Sequence, residues 1–170
     1  AVVVANFSTG SASVVSIGSD GSLIGEARDH SHNEFPRPGK HGAQKIARAH
    51  NVKMSPDGKY AFVCDLGADK IIIYKFDDNY EKLTLTDHKY VDVPPSSGPR
   101  HFTFHPNGKF AYVVNELSST VSAFHYKGEG KLEIKETVTT KPAGHKGYNN
   151  CADIHVHPNG RFLYGSNRGH

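Results

Sequence analysis

Three segments of this chain align residue for residue: HNVKMSPDGKYAFVCD from His50, RHFTFHPNGKFAYVVN from Arg100 and ADIHVHPNGRFLYGSN from Ala152. Their turn prolines, Pro56, Pro106 and Pro158, lie 50 and 52 residues apart. The opening VVVAN matches the back half of the motif and sets Asn6 beside Asp65, Asn115 and Asn167. Self-similarity at this period is the mark of a repeat architecture, in which each unit completes its core only against its neighbours.

Each unit reads as four short strands. In the unit beginning at Arg100, residues 100–105 alternate apolar and polar and form the first strand. Pro106-Asn107-Gly108 is a tight turn, since Pro presets φ and Gly accepts φ > 0. The near-continuous apolar run 109–115 is a strand covered on both faces, and 119–126 and 131–140 follow as the third and fourth. The preceding unit gives 50–55, 59–65, 70–76 and 81–93. Four-stranded units of about 50 residues are the blades of a β-propeller. The chain has no Trp and lacks the WD40 dipeptides. The expectation is an all-β chain of four-stranded antiparallel blades. Residues 1–26 end one blade, 27–49 form a His-, Gly- and Pro-rich insertion, 50–99 and 100–151 are full blades, and 152–170 start another. Three to three and a half blades do not close a ring, and an open arc leaves strand edges unpaired. The remaining blades of the same propeller, or another copy, are therefore expected partners.

Composition narrows the function classes. Hydrophobic residues at 36% and charged residues at 22% fit a folded soluble chain. No apolar run approaches the ~18 residues a spanning helix needs, so no membrane partner is expected. The net charge of +3 is spread through turns, which leaves no nucleic-acid footprint. No secretory segment opens the chain, but it starts without Met as if already inside a strand, so that absence carries little; a cytoplasmic setting is the expectation. Cys64 and Cys151 lie in unrelated segments, outside any CxxC, and read as buried free thiols. There is no P-loop, Gly-x-Ser-x-Gly or dinucleotide fingerprint, and no cofactor is expected.

The repeat also maps a site. In an antiparallel pair the start of strand one and the end of strand two share a face. The Pro-Asp/Asn-Gly turns lie on the opposite one. Six residues before each turn proline stand His50, Arg100 and Ala152; just after the shared Asp/Asn stand Phe7, Leu66, Glu116 and Arg168. These positions vary while the scaffold around them repeats. His50, Arg100, Glu116 and Arg168 thus converge on one face near the axis. Two guanidiniums suit a phosphate, a carboxylate or an oxyanion, and His or Glu suits a general base. The same four would equally make a structural ion-pair network. His101 and His155 lie on innermost strands and are candidates to line the channel. His155 and His157 share one side of a strand, but no third metal ligand is evident. His105 and His157 precede the turn prolines and read as solvated, as do His30, His32 and His41 in the insertion. Asp65, Asn115 and Asn167 recur in every unit and read as structural.

Over AHNVKMSPDGKYAFVCDLGADKIIIYKF, GPRHFTFHPNGKFAYVVNELSSTVSAFHY and CADIHVHPNGRFLYGSNRGH the chain resembles the lactonase family of seven-bladed β-propellers, which includes 6-phosphogluconolactonases and carboxymuconate-lactonising enzymes. The resemblance implies a seven-bladed ring of which this chain is roughly half. It implies hydrolysis of a small anionic sugar lactone, most often 6-phosphogluconolactone in the pentose phosphate route. It places the family's His, Arg, Glu and Arg on His50, Arg100, Glu116 and Arg168. A cycloisomerase forming a lactone from a muconate, and a non-catalytic binding scaffold, are the competing expectations.

Overall fold

The computed structural model describes residues 1–79 and 81–170, and the described residues form thirteen strands. β1 (Val2–Asn6), β2 (Ser11–Ile17) and β3 (Leu23–Ser31) make a three-stranded sheet. β4 (Ala49–Met54), β5 (Tyr60–Asp65), β6 (Lys70–Phe76) and β7 (Leu83–Asp92) make a four-stranded one. β8 (Pro99–Phe104), β9 (Phe110–Asn115), β10 (Thr120–Tyr126) and β11 (Leu132–Thr139) make a second, and β12 (Cys151–Val156) pairs with β13 (Leu163–Asn167). All neighbours are antiparallel and follow chain order. Every strand read from the two full repeats lies within two residues of its expected bounds.

The turns close as their residues require. Gly58, Gly108 and Gly160 adopt φ of 71°, 68° and 73°, a region that side chains with a Cβ rarely enter. Their N–H groups donate to the carbonyls of Ser55, His105 and His157.

The sheets pack face to face. Phe62 on β5 stacks on Phe102 on β8 with centroids 5.3 Å apart, and Phe104 and Tyr126 close edge-on around them. Phe62 and Phe102 are buried, each contributing about 1.5–3 kcal/mol of transfer free energy. This aromatic block fixes the angle between the two full blades, and so between the site residues at their ends. Cys64 and Cys151 are buried free thiols.

The insertion departs from the sequence reading at two points. Residues 27–31 continue β3, whose composition looks like a loop because this outer strand is exposed along nearly its whole length, His30 excepted. His32, read as solvated, is fully buried. Its Nδ1 lies 2.7 Å from Asp65 Oδ2 and its Nε2 2.9 Å from the Tyr74 hydroxyl. Phe35 follows it into the core between the first two sheets. His30 is half-buried with its ring on Tyr74, while His41 stays exposed and accepts from Ala43 N at the start of a short 3-10 turn. Residues 32–48 are thus stitched into the next blade.

One irregularity recurs. β4 pairs Ala49 with Asp65 and then Asn51 with Cys64, so His50 is an extra residue without a ladder partner. β8 pairs Pro99 with Asn115 and His101 with Val114, which leaves out Arg100. β12 pairs Cys151 with Asn167 and Ile154 with Gly165, with Ala152 and Asp153 between. Each innermost strand therefore bulges at the position six before its turn proline. A bulge bends the strand and re-aims a side chain.

Candidate active site

The bulges aim His50 and Arg100 to one face, and Glu116 and Arg168 arrive there directly after β9 and β13. Arg100 Nε donates to Glu116 Oε2 at 2.8 Å, and Arg168 Nη2 lies 2.9 Å from Glu116 Oε1. One carboxylate thus holds two guanidiniums from adjacent blades. The Arg100 and Glu116 side chains are only 17% and 16% exposed, so screening is weaker than at an open surface. Arg100 Nη1 also donates to Ala152 O at 2.7 Å and reaches His101 Nε2 at 3.2 Å. The guanidinium plane is fixed on three sides.

His101 Nδ1 lies 2.7 Å from Asp153 Oδ1. With an Arg N–H on Nε2 and a carboxylate on Nδ1, the ring is held as the Nδ1–H tautomer. Burial pushes the Asp153 carboxyl up, but hydrogen bonds from His101, His155 and the Ile154 N–H outweigh it and hold the group well below the usual carboxylate range.

His50 stands beside this network without joining it by a hydrogen bond. Its ring meets His101 at 5.2 Å and Phe7 at 5.3 Å, both edge-on. Its Nδ1 is buried beside its own backbone with no other partner among the described residues, and Nε2 makes no hydrogen bond there. Burial, with the Arg100 guanidinium nearby, pushes the imidazole down to about 4. It is neutral at pH 7, with a lone pair to offer.

Three of the four residues picked from the repeat therefore join in one ion-paired cluster, with His50 at its edge. His101 sits inside the site. His155 is 69% exposed and enters only through Asp153 Oδ2, 2.8 Å from its Nε2. His105, read as solvated, is half-buried: its Nε2 lies 2.9 Å from Gly160 O of the next blade's turn. His157 is exposed, its Nδ1 taken by Asn159 N. No group of three metal-ligating side chains forms among the described residues. Asp65, Asn115 and Asn167 bond to the chain around them.

Sequence reasoning missed Asp153 and Asn150. Asp153 follows Ala152, and one Ala in the aligned column hid the carboxylate beside it. Asn150 reaches Glu116 Oε1 at 3.4 Å from two residues before that column. The structure makes Arg48, Gly98 and Asn150 equivalent: their carbonyls accept from Leu66, Glu116 and Arg168 at 2.9, 2.7 and 2.8 Å.

The family model described as Lactonase, 7-bladed beta-propeller, matches residues 1–170. An uncharacterised protein of Staphylococcus aureus (strain USA300) is 45% identical over 142 residues, 81% of this chain and 39% of its own. Among solved structures, the Pseudomonas aeruginosa periplasmic gluconolactonase PpgL is 38% identical with a TM-score of 0.90, over 98% of this chain and 47% of its own. A Bacteroides fragilis protein provisionally assigned as a 6-phosphogluconolactonase is also 38% identical, with a TM-score of 0.85 over the same shares. The chain spans about half the length of these structures and less of the curated relative. Repeat, blade geometry and matched model agree that the chain belongs to the lactonase family of seven-bladed β-propellers.

Proposed function

We propose that the complete propeller hydrolyses a sugar lactone at this face, with 6-phosphogluconolactone as the foremost substrate. The observation that carries the reading is the Arg100–Glu116–Arg168 clamp set beside a neutral, unpartnered His50. Family membership and the gluconolactonase neighbour support it.

Water is the nucleophile. His50 Nε2 takes one of its protons as the oxygen attacks the lactone carbonyl. The carbonyl oxygen becomes an oxyanion, met by the Arg100 N–H groups that Glu116 and Ala152 leave free. The tetrahedral centre collapses, the ring C–O bond breaks, and the leaving oxygen recovers the proton from His50. The product is an open hydroxy acid. Glu116 has both oxygens on guanidiniums, so its role is to hold the arginines rather than to take the proton.

The test is hydrolysis of fresh 6-phosphogluconolactone by the whole protein, corrected for spontaneous opening, across pH. A clear rate is expected, with the acid limb of kcat/KM near pH 4, where the free-enzyme imidazole protonates. His50→Gln should remove that limb together with most of the rate. An acid limb that persists unchanged in His50→Gln, with most of the rate retained, would rule out His50 as the base. Absence of any rate on lactones by the folded protein would end the reading.

A further inference from the structure

We infer that Arg48, with Phe7 beneath it, is a further substrate-binding position, taking a phosphate or carboxylate on the substrate end remote from the lactone carbonyl. The inference rests on the lactonase reading and adds to it a residue outside the site cluster, two positions before the His50 column of the repeat.

Three observations carry it. The first is charge. Glu116 already neutralises Arg100 and Arg168 in part, and the remaining donors of Arg100 face the reacting carbonyl in the proposed mechanism. Arg48 has no carboxylate partner among the described residues. Its Nε donates to Ala43 O at 2.7 Å, and its terminal nitrogens make no hydrogen bond among the described residues. The second is position. Arg48 is the repeat equivalent of Asn150, and Phe7 of Glu116. Asn150 touches Glu116 inside the site, and Arg48 touches Phe7 in the same relation, with its guanidinium carbon 4.9 Å from the ring centroid. The third is continuity. The Phe7 edge meets His50, so Arg48, Phe7, His50, His101 and Arg100 form an unbroken row along the rim. Phe7 offers an apolar platform to the C–H face of a sugar ring. Arg48 reaches the proposed base through the Phe7 ring, which contacts both.

The guanidinium is also held ready. The Ala43 bond and the Phe7 face restrain its plane, and the backbone of Arg48 is pinned at both ends, N–H to Asp65 Oδ1 at 2.8 Å and carbonyl to Leu66 N at 2.9 Å. A pre-ordered fork loses little freedom when it meets an anion.

The experiment compares kcat/KM of the whole protein on 6-phosphogluconolactone and on unphosphorylated gluconolactone, in wild type, Arg48→Met and Arg48→Lys. Arg48→Met is expected to lower the ratio of the two by ~10–100-fold, the span of a charge-assisted hydrogen bond, through KM rather than kcat. Arg48→Lys should restore part of it. Equal losses on both lactones would reduce Arg48 to a prop for the insertion, and a wild-type ratio near one would remove the anchor. Calorimetric binding of 6-phosphogluconate gives a readout independent of turnover. If no lactone is hydrolysed but binding is lost in Arg48→Met, the anchor stands and the lactonase reading falls. Binding unchanged in Arg48→Met overturns the anchor.

Discussion

Arg100→Ala should lower kcat on the lactone by ~10²–10³-fold, the usual loss when one donor to a developing oxyanion is removed from a partly buried site. Arg100 is tied to three different groups: a carboxylate, a backbone carbonyl and an imidazole. Its orientation is therefore set before substrate arrives. Arg100→Lys should recover little, because an ammonium has no planar fork to satisfy Glu116 and Ala152 at once. Arg168→Ala should cost less. That side chain is 45% exposed, and its other bond to the chain is a 3.2 Å contact with Cys151 O. Initial rates on variants that keep the wild-type circular dichroism and melting temperature make the check. A kcat for Arg100→Ala within threefold of wild type would remove Arg100 from the chemistry.

The largest effect on stability is expected at Asp65. Asp65→Ala should cost the whole propeller about 3–5 kcal/mol in urea unfolding, since each buried donor left without its acceptor costs about 1–3 kcal/mol. Asp65 is fully buried. It accepts from Arg48 N, from Ala68 N and from the His32 ring, which in turn meets Tyr74. Removal strands two backbone donors and an imidazole out of reach of water. Asp65→Asn keeps an oxygen for the backbone donors and lets its amide donate to His32, so a loss of about 1–2 kcal/mol is expected. A cost for Asp65→Ala below about 1 kcal/mol would mean that the cluster contributes little to stability. Because Asp65 pins the residue two before His50, the alanine variant should also lose activity faster than it loses fold.

The fold was legible because a propeller repeats its packing. Pro-Asp/Asn-Gly turns and the apolar second strands returned in register, and the strands lie where that register put them. The convergence of Arg100, Glu116 and Arg168 on one face was legible for the same reason, since Arg100 and Glu116 break a pattern that holds on every side of them. What stayed hidden lies off the aligned columns or depends on pairing across strands. His32 sits in a polar, glycine-rich stretch, and nothing in that stretch says that Asp65 and Tyr74 wait for it. Asp153 was masked by Ala152. Arg48 belongs to a column whose other members, Gly98 and Asn150, share no chemistry with it. At Gly98 a Cβ would meet Leu117 at 2.6 Å, so that blade has no room for a side chain. The bulges are a property of register, which no single strand displays.

Those bulges bear on how such a chain can change its specificity. His50 and Arg100 are the extra residues of register shifts, without a facing partner, on strands otherwise paired with their neighbours. Exchanging the side chain at such a point leaves sheet pairing and the aromatic block between blades untouched. Chemistry and foldability are thereby carried by separate residues. A library randomised at positions 50, 100 and 152 should keep a high fraction of folded members, and new lactone preferences are best sought there.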